Sequence, residues 1–257
     1  MQKVNKITVI TASYNAEKNI EKAINSVISQ HYEGLEYIII DGGSKDNTVN
    51  IIKKYGNNIN YWISEPDKGI YDAWNKGIAK ATGDWIMFLG CDDELLPNAL
   101  ADYSKFIDSL DEGVEYVSSK NQMVDENMKP IRIKGWKWEW PKFLNGITVS
   151  HPGSLHARSL FKKYGVYNID YKIAGDYELL LRPRNQLKAA FMDKVTVVMS
   201  EGGVSDSVAG IKEGILASIK TGGYSKVKAI LNGLIIYFKF KVKYAFRSLG
   251  MNVYLRK

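Results

Sequence analysis

Over its first hundred residues the chain alternates short apolar runs with segments whose apolar positions recur at helical spacing. Residues 7–11 form an apolar run that reads as a core strand, and Ile20, Ala23, Ile24, Val27 and Ile28 then mark one face of a helix. Residues 35–40 predict a second strand, followed by Gly42, Gly43 and Ser44 and by a helix carrying Val49 and Ile52. Residues 59–63 predict a third strand, 71–81 a helix ended by Gly83, and 85–89 a fourth strand. Alternation of this kind is what a parallel α/β sheet requires, and in such sheets ligands gather at the carboxyl ends of the strands.

Beyond residue 110 the pattern is less regular. Residues 114–118 and 130–133 read as strands, Asp176-Tyr177-Glu178 opens a helix that continues through Leu179, and residues 195–199 read as a last strand. Trp136, Trp138 and Trp140 alternate, so an extended segment puts all three on one face, either to stack on a sugar or lipid or to fill a core. Glu201-Gly202-Gly203-Val204-Ser205 follows the last strand and suits either a mobile lid or a simple glycine turn. Near the C-terminus Leu231, Ile235, Phe238, Val242, Phe246 and Leu249 make a helical stripe with Lys239, Lys243 and Arg247 beside it. The apolar stretch between Lys228 and Lys239 is far short of the roughly 20 residues that span a bilayer. A helix lying on an anionic membrane surface is therefore favoured over one crossing it, with a helix packed on its own domain as the alternative. The expected organisation is a catalytic α/β domain over residues 1–213, with a nucleotide-binding half (1–110) and an acceptor half (111–213), then a basic amphipathic helical region over 214–257.

Charge sharpens that division. The net charge is +7, yet nine basic residues and no acidic ones lie after Glu213, which leaves residues 1–213 at −2. The basic excess belongs to the tail, and a nucleic-acid-binding module, which needs basic and stacking groups across its folded surface, is disfavoured. The single cysteine excludes an intramolecular disulfide and a cysteine-clustered zinc site, and it suits a reducing cytoplasm. Met1 to Lys6 leads directly into the first strand, which reads as no secretory leader.

The strand ends carry the candidate chemistry. Strand one runs into Ser13-Tyr14-Asn15, strand two into Asp41-Gly42-Gly43-Ser44, and strand four into Cys91-Asp92-Asp93. Turn and cap preferences explain any one of these more easily than all three. The dinucleotide pattern G-x-G-x-x-G and the P-loop are both absent. Two adjacent carboxylates repel unless a cation or a hydrogen-bonding ligand stabilises them. A hard divalent ion shared with the diphosphate of a nucleotide-sugar meets that need. A nucleotidyltransferase making an activated sugar would share the fold and the metal, but lacks here the glycine- and lysine-rich triphosphate loop it requires. His151 and His156, with no spaced partner, read as structural in preference to metal ligands.

Taken in order, Ser13-Tyr14-Asn15, the run from Asp41 to Thr48, Lys68-Gly69-Ile70-Tyr71-Asp72-Ala73-Trp74-Asn75-Lys76-Gly77, Gly83-Asp84-Trp85-Ile86 and Asp92-Asp93 resemble family 2 glycosyltransferases of the GT-A fold. A looser likeness to the acceptor half of bacterial polysaccharide members continues through His151-Pro152, residues 158–165 and Ala174-Gly175-Asp176-Tyr177-Glu178-Leu179. The resemblance implies inverting transfer from a nucleotide-diphosphate sugar, a UDP-sugar foremost, to a saccharide or lipid-linked acceptor. It also implies Mn2+ or Mg2+ as cofactor; the single cysteine and the basic tail add the expectation of a cytoplasmic place at the inner face of the plasma membrane. Under it Tyr14 packs against the base beside Ser13, Asp41 accepts a hydrogen bond from the base, Asp92 binds the ribose and Asp93 the metal. Lys68 and Asp72 lie near the nucleotide. Asp176 is the candidate general base, with Glu178 as fallback and a helix-capping Asp as the competing reading. The chain departs from the family at Trp74, where many members carry Arg; a diphosphate contact is missing there or is supplied by Lys68.

Overall fold

The computed structural model of the protein describes residues 4–248. Strands β1 (Ile7–Ser13), β2 (Leu35–Asp41), β3 (Tyr61–Ser64) and β4 (Trp85–Gly90) lie parallel in the order β3-β2-β1-β4. They are linked by α1 (Ile20–Ile28), α2 (Thr48–Lys54) and α3 (Ile70–Lys80). Every residue of β1 is buried, because helices cover both faces of the sheet. Such strands need apolar side chains at successive positions, which is why they read as runs. Ile10, Ile38, Ile40, Ile86 and Phe88 pack on one face with Tyr71 and Trp74 of α3. Ile7, Val9, Tyr37, Ile39, Met87 and Leu89 pack on the other with Ile20, Ile24 and Val27 of α1.

The second half extends the same sheet with mixed pairing. β4 pairs antiparallel with β8 (Leu155–Ala157), β8 antiparallel with β6 (Tyr116–Val124), and β6 parallel with β9 (Ala189–Ser200). β9 meets the short β5 (Glu94–Leu95), and β7 (Pro130–Lys134) pairs with β6. The sheet has nine strands among the described residues, flanked further by α4 (Ala99–Asp108), α5 (Trp140–Phe143), α6 (Arg158–Tyr164) and α7 (Gly175–Leu181). Several bounds differ from the expectation. The third strand starts at Tyr61, because residues 56–58 form a 3-10 turn and Ile59 drops into the core after it. β6 and β9 run well past the predicted 114–118 and before 195–199, because their long mutual pairing buries polar Ser118, Ser119 and Asn121.

The expected division after residue 213 falls inside α8 (Val208–Lys220), which packs on α7 and on α9 (Lys226–Ser248). Gly233 of α9 sits where any side chain would overlap Ile215 of α8, so the glycine lets the two helices approach closely. Ala229 is buried in the same face, and Asn232 donates to the carbonyl of Asn145. Lys243, read as a headgroup-facing cation, instead turns inward to Glu201, 3.6 Å away, and to Asp206. The predicted stripe is therefore only partly apolar surface: Leu231, Ile235 and Phe238 are exposed, whereas Val242 and Phe246 are half-buried. Leu249, Arg256 and Lys257 lie outside the described residues, as does the side chain of Arg247.

His151 and His156 are core residues. His151 stacks on Trp74 with ring centroids 4.8 Å apart, and its Nε2 shares a 2.9 Å hydrogen bond with the Tyr167 hydroxyl. Burial pushes the His151 pKa from 6.5 down to about 3. The folded state therefore holds the ring neutral while the unfolded chain protonates it below 6.5, so this stability is present above that pH and lost as pH falls toward 3. His151→Phe should flatten the decline of melting temperature between pH 7 and pH 4.5 relative to the parent protein, as read by thermal denaturation across that series. Parallel pH curves for the two proteins would refute it.

Candidate active site

Because β1 to β4 are parallel, their carboxyl ends share one edge of the sheet. The register aligns Ser13 with Asp41, Asp41 with Ser64, and Ala12 with Gly90. At about 4.8 Å per strand, four ends span roughly 14 Å. The loops that follow are interlocked. The Asn15 amide donates to Ser44 Oγ at 2.8 Å, the Ala16 amide to Thr48 Oγ1 at 2.7 Å, and the Lys45 amide to Asn15 Oδ1 at 2.9 Å.

Asp41 lies beneath these loops, fully buried. Its carboxylate accepts from Ser13 Oγ at 3.0 Å, Ser64 Oγ at 2.6 Å, the amides of Gly43 and Ser44 at 3.1 and 2.9 Å, and the Ser44 hydroxyl. The carboxylate expected to meet a base is enclosed here, its oxygens taken up by Ser13, Ser64 and the loop after β2. Tyr14 next door is 63% exposed, an aromatic face open to solvent at the strand edge. Sequence reasoning missed Ser64, and it also missed Asp67. The Asp67 carboxylate occupies the space that a side chain on Gly42 would fill, and it accepts the Gly69 amide at 2.8 Å. Lys68 is exposed, and its amide is held by Asp72 Oδ2 at 3.0 Å, which ties these two expected residues together at the start of α3.

Beyond β4, Asp92 is exposed and Asp93 is buried, its Oδ2 accepting the Gly90 amide at 3.1 Å. A Cβ on Gly90 would meet Asp93 Oδ2 at 2.7 Å and Asp92 Oδ1 at 2.9 Å, so both carboxylates lean into the notch that glycine leaves. Burial and the neighbouring Asp92 charge raise the Asp93 pKa to about 8. A hard cation fits this donor set: two carboxylate oxygens converge on one small space, no ion pair among the described residues offsets their mutual repulsion, and one of the pair faces solvent. No cluster of three or more His, Cys, Asp or Glu ligands occurs among the described residues, so the remaining ligands would come from phosphate or water.

Asp176 is the second residue of α7, and the cap position belongs to Ala174. Burial raises the Asp176 pKa, opposed by backbone hydrogen bonding, the Tyr71 hydroxyl 3.2 Å from Oδ1, and the charge of Lys134. Tyr71 and Lys134 both escaped sequence reasoning. Gly175 is required here, since a Cβ would stand 2.8 Å from the Tyr71 ring. Tyr71 lies beside Asp72, so α3 joins the loops at the strand ends to α7. The fallback Glu178 is engaged elsewhere: Arg182 Nε donates to both its oxygens at 3.1 Å, Arg182 Nη2 to Oε2 at 2.6 Å, and Thr221 Oγ1 to Oε1 at 2.9 Å. Trp74 is buried among Phe88, His151 and Tyr167, so the residue at the family's Arg position serves the core. The three tryptophans divide: Trp138 and Trp140 pack on the core, whereas Trp136 is 53% exposed.

The pattern of Glycosyl transferase family 2 matches residues 8–161. Among curated proteins, an uncharacterized glycosyltransferase of Mycobacterium tuberculosis (strain CDC 1551 / Oshkosh) is 36% identical over 187 residues, 68% of each chain. A PGL/p-HBAD biosynthesis glycosyltransferase of Mycobacterium bovis BCG is 27% identical over 209 residues, covering 78% of this chain and 79% of that protein. The fold superposes on S. aureus TarS 1–349 in complex with UDP-GlcNAc with a TM-score of 0.66 at 19% identity, over 91% of this chain and 72% of that one. It also matches a mannosyltransferase of Pyrobaculum calidifontis in complex with GDP-Man and Mn2+, with a TM-score of 0.64 at 17% identity, over 90% of this chain and 69% of that one.

Asp41 anchors three strand ends, so Asp41→Asn should lower stability by about 1–3 kcal/mol, because an amide NH2 then faces buried donors. Urea unfolding followed by tryptophan fluorescence measures this. A midpoint equal to that of the parent protein would contradict the anchoring role.

Proposed function

The chain belongs to glycosyl transferase family 2, and from that premise we propose that it is an inverting, metal-dependent enzyme moving a sugar from a nucleotide-diphosphate donor, a UDP-sugar foremost, to an acceptor hydroxyl in surface-polysaccharide or lipid-linked saccharide synthesis. It is a glycosyltransferase, with a GT-A-type mixed α/β sheet. The observation that carries the finer reading is the alignment of Ser13, Asp41, Ser64 and the Gly90 notch along one sheet edge. That edge is polar, it carries one exposed aromatic ring, and it ends in a carboxylate pair suited to a cation.

In this reading Tyr14 stacks on the nucleobase, and Asp41 with Ser13 keeps rigid the loop whose backbone borders it. Asp67 offers a carboxylate beside the base, and Lys68, held in place through Asp72, offers its ammonium to the diphosphate. Asp92 and Asp93 hold Mn2+ or Mg2+ and the ribose between them. The bound ion supplies neutralisation of the charge that grows on the departing diphosphate. Asp176 takes the proton of the acceptor hydroxyl; its raised pKa brings its basicity nearer to neutral pH, where a general base works best.

The exposed face of α9 supports a peripheral place at an anionic membrane. Val227, Leu231, Leu234, Ile235 and Phe238 are all more than half exposed, and Lys226, Lys228 and Lys241 are the exposed cations around them. No helix among the described residues is long and apolar enough to cross a membrane. From that exposed face we propose a peripheral place at a membrane surface, near a lipid-linked acceptor.

A thermal-shift screen of nucleotide-sugars with and without Mn2+ tests the donor reading, since ligand binding raises stability with the logarithm of its concentration. Asp93→Ala should abolish the metal-dependent part of the shift, and Asp176→Asn should leave it intact while turnover falls about 100-fold. Metal-independent binding in the parent protein, or turnover in Asp176→Asn near the parent value, would overturn the respective assignment. For the membrane, Phe238→Ser together with Lys226→Glu, Lys228→Glu and Lys241→Glu should sharply lower cosedimentation with phosphatidylserine vesicles at low salt, each cation contributing about 1 kcal/mol. Indifference of the parent protein to such vesicles would remove the membrane reading.

A further inference from the structure

Glu213 makes contacts that no motif announces. From α8 its carboxylate accepts three successive backbone amides: Lys172, at 3.0 Å to Oε1 and 3.1 Å to Oε2, then Ile173 and Ala174 at 2.8 and 3.0 Å to Oε2. These residues lead directly into α7. Ala174 holds the cap position and has no side chain able to cap, and Glu213, brought from another helix, takes up the amide of Ala174 and those of the two residues before it. The same short segment is gripped from the opposite side. Tyr71 Oη lies 2.7 Å from the Ile173 carbonyl and 3.2 Å from Asp176 Oδ1. The Lys172 ammonium reaches back to the carbonyl of Lys68 at 3.1 Å.

The backbone carrying Asp176 is thus held between α3 and α8. We propose that Glu213 is a positioning residue for sugar transfer, fixing residues 172–174 and through them the carboxylate of Asp176. The inference rests on the reading of Asp176 as general base. Glu213 touches neither substrate nor the reacting atoms, and it lies on a helix that carries none of the donor-side residues. Its loss should therefore slow the transfer step and leave donor binding alone. A carboxylate set off its line of attack by an ångström costs as much as 100-fold in rate, so a loosened segment is costly even when the fold survives. Gln at this position keeps one acceptor oxygen and loses the charge, and charge-assisted bonds are about twice as strong as neutral ones.

The test uses the full chain, with turnover on a good acceptor, nucleotide affinity by thermal shift, and hydrogen exchange of amides 172–174. Glu213→Ala should lower kcat about tenfold or more, leave donor affinity within about twofold, and speed exchange of those three amides. Glu213→Gln should fall between the two. In the Asp176→Asn background Glu213→Ala should slow residual turnover no further, because its effect passes through Asp176. An equal slowing in that background, a parallel loss of donor affinity, or unchanged kcat in Glu213→Ala beside an inactive Asp176→Asn would overturn the positioning role alone. Asp176→Asn with full turnover would instead remove the base reading beneath it. If Glu213→Ala does not fold, Glu213→Gln decides: faster exchange at 172–174 with reduced kcat supports the inference, and unchanged values of both overturn it.

Discussion

A carboxylate without access to water holds the functional edge together. Asp41 lies at the last position of β2, in register with the ends of β1 and β3, and its donors come from those two strand ends and the loop that follows β2. Burying an ion is costly unless hydrogen bonds replace its hydration, and here serine hydroxyls and backbone amides do so. Loops that would otherwise leave the sheet independently are thereby bound to a common anchor, and the exposed ring of Tyr14 projects from a fixed base. The notch at Gly90 lies one strand further along the same edge, so its place relative to that ring is set by the sheet register.

The other half of the site depends on contacts of a different kind. Asp176 is carried by a seven-residue helix with no capping side chain of its own, and its place is determined by Tyr71 from one direction and Glu213 from another. The C-terminal helices thus belong to the catalytic body as well as bearing an apolar surface. Of the alternatives that the tail's amphipathic stripe allowed, packing on the domain is seen on one face of α9, where Ala229, Gly233 and Lys243 turn inward, while Leu231 and Phe238 turn out to solvent.

Legibility in the sequence followed the physics of each region. The parallel half was readable because doubly covered strands must be apolar at consecutive positions, and because the residues that end them are polar. Asp92 and Asp93 stood out through their position after such a run, and Asp176 through its resemblance to the family's acidic residue at the head of a helix. What escaped were partners chosen by space rather than spacing. Ser64, Asp67, Tyr71 and Glu213 sit in elements remote from the groups they support, and nothing in a serine at a strand end distinguishes an anchor from an ordinary turn. β8 has three residues, one of them a histidine made apolar in effect by burial, and so had no periodicity to detect. Lys243 was misplaced because a basic residue beside an apolar stripe looks the same whether its partner is a headgroup or a buried carboxylate.

The missing side chain at residue 42 has a consequence for how the enzyme can diversify. A carboxylate at that point of the edge is lent by Asp67 from the neighbouring loop, so in the proposed reading the strand that carries the buried anchor is released from choosing what a donor nucleotide meets. Recognition there can be rewritten by exchanging one residue on an accessible connection, with β2 and its hydrogen bonds untouched. Under that reading rigidity and selectivity, often bound to the same residue in small sites, lie on separate segments of chain.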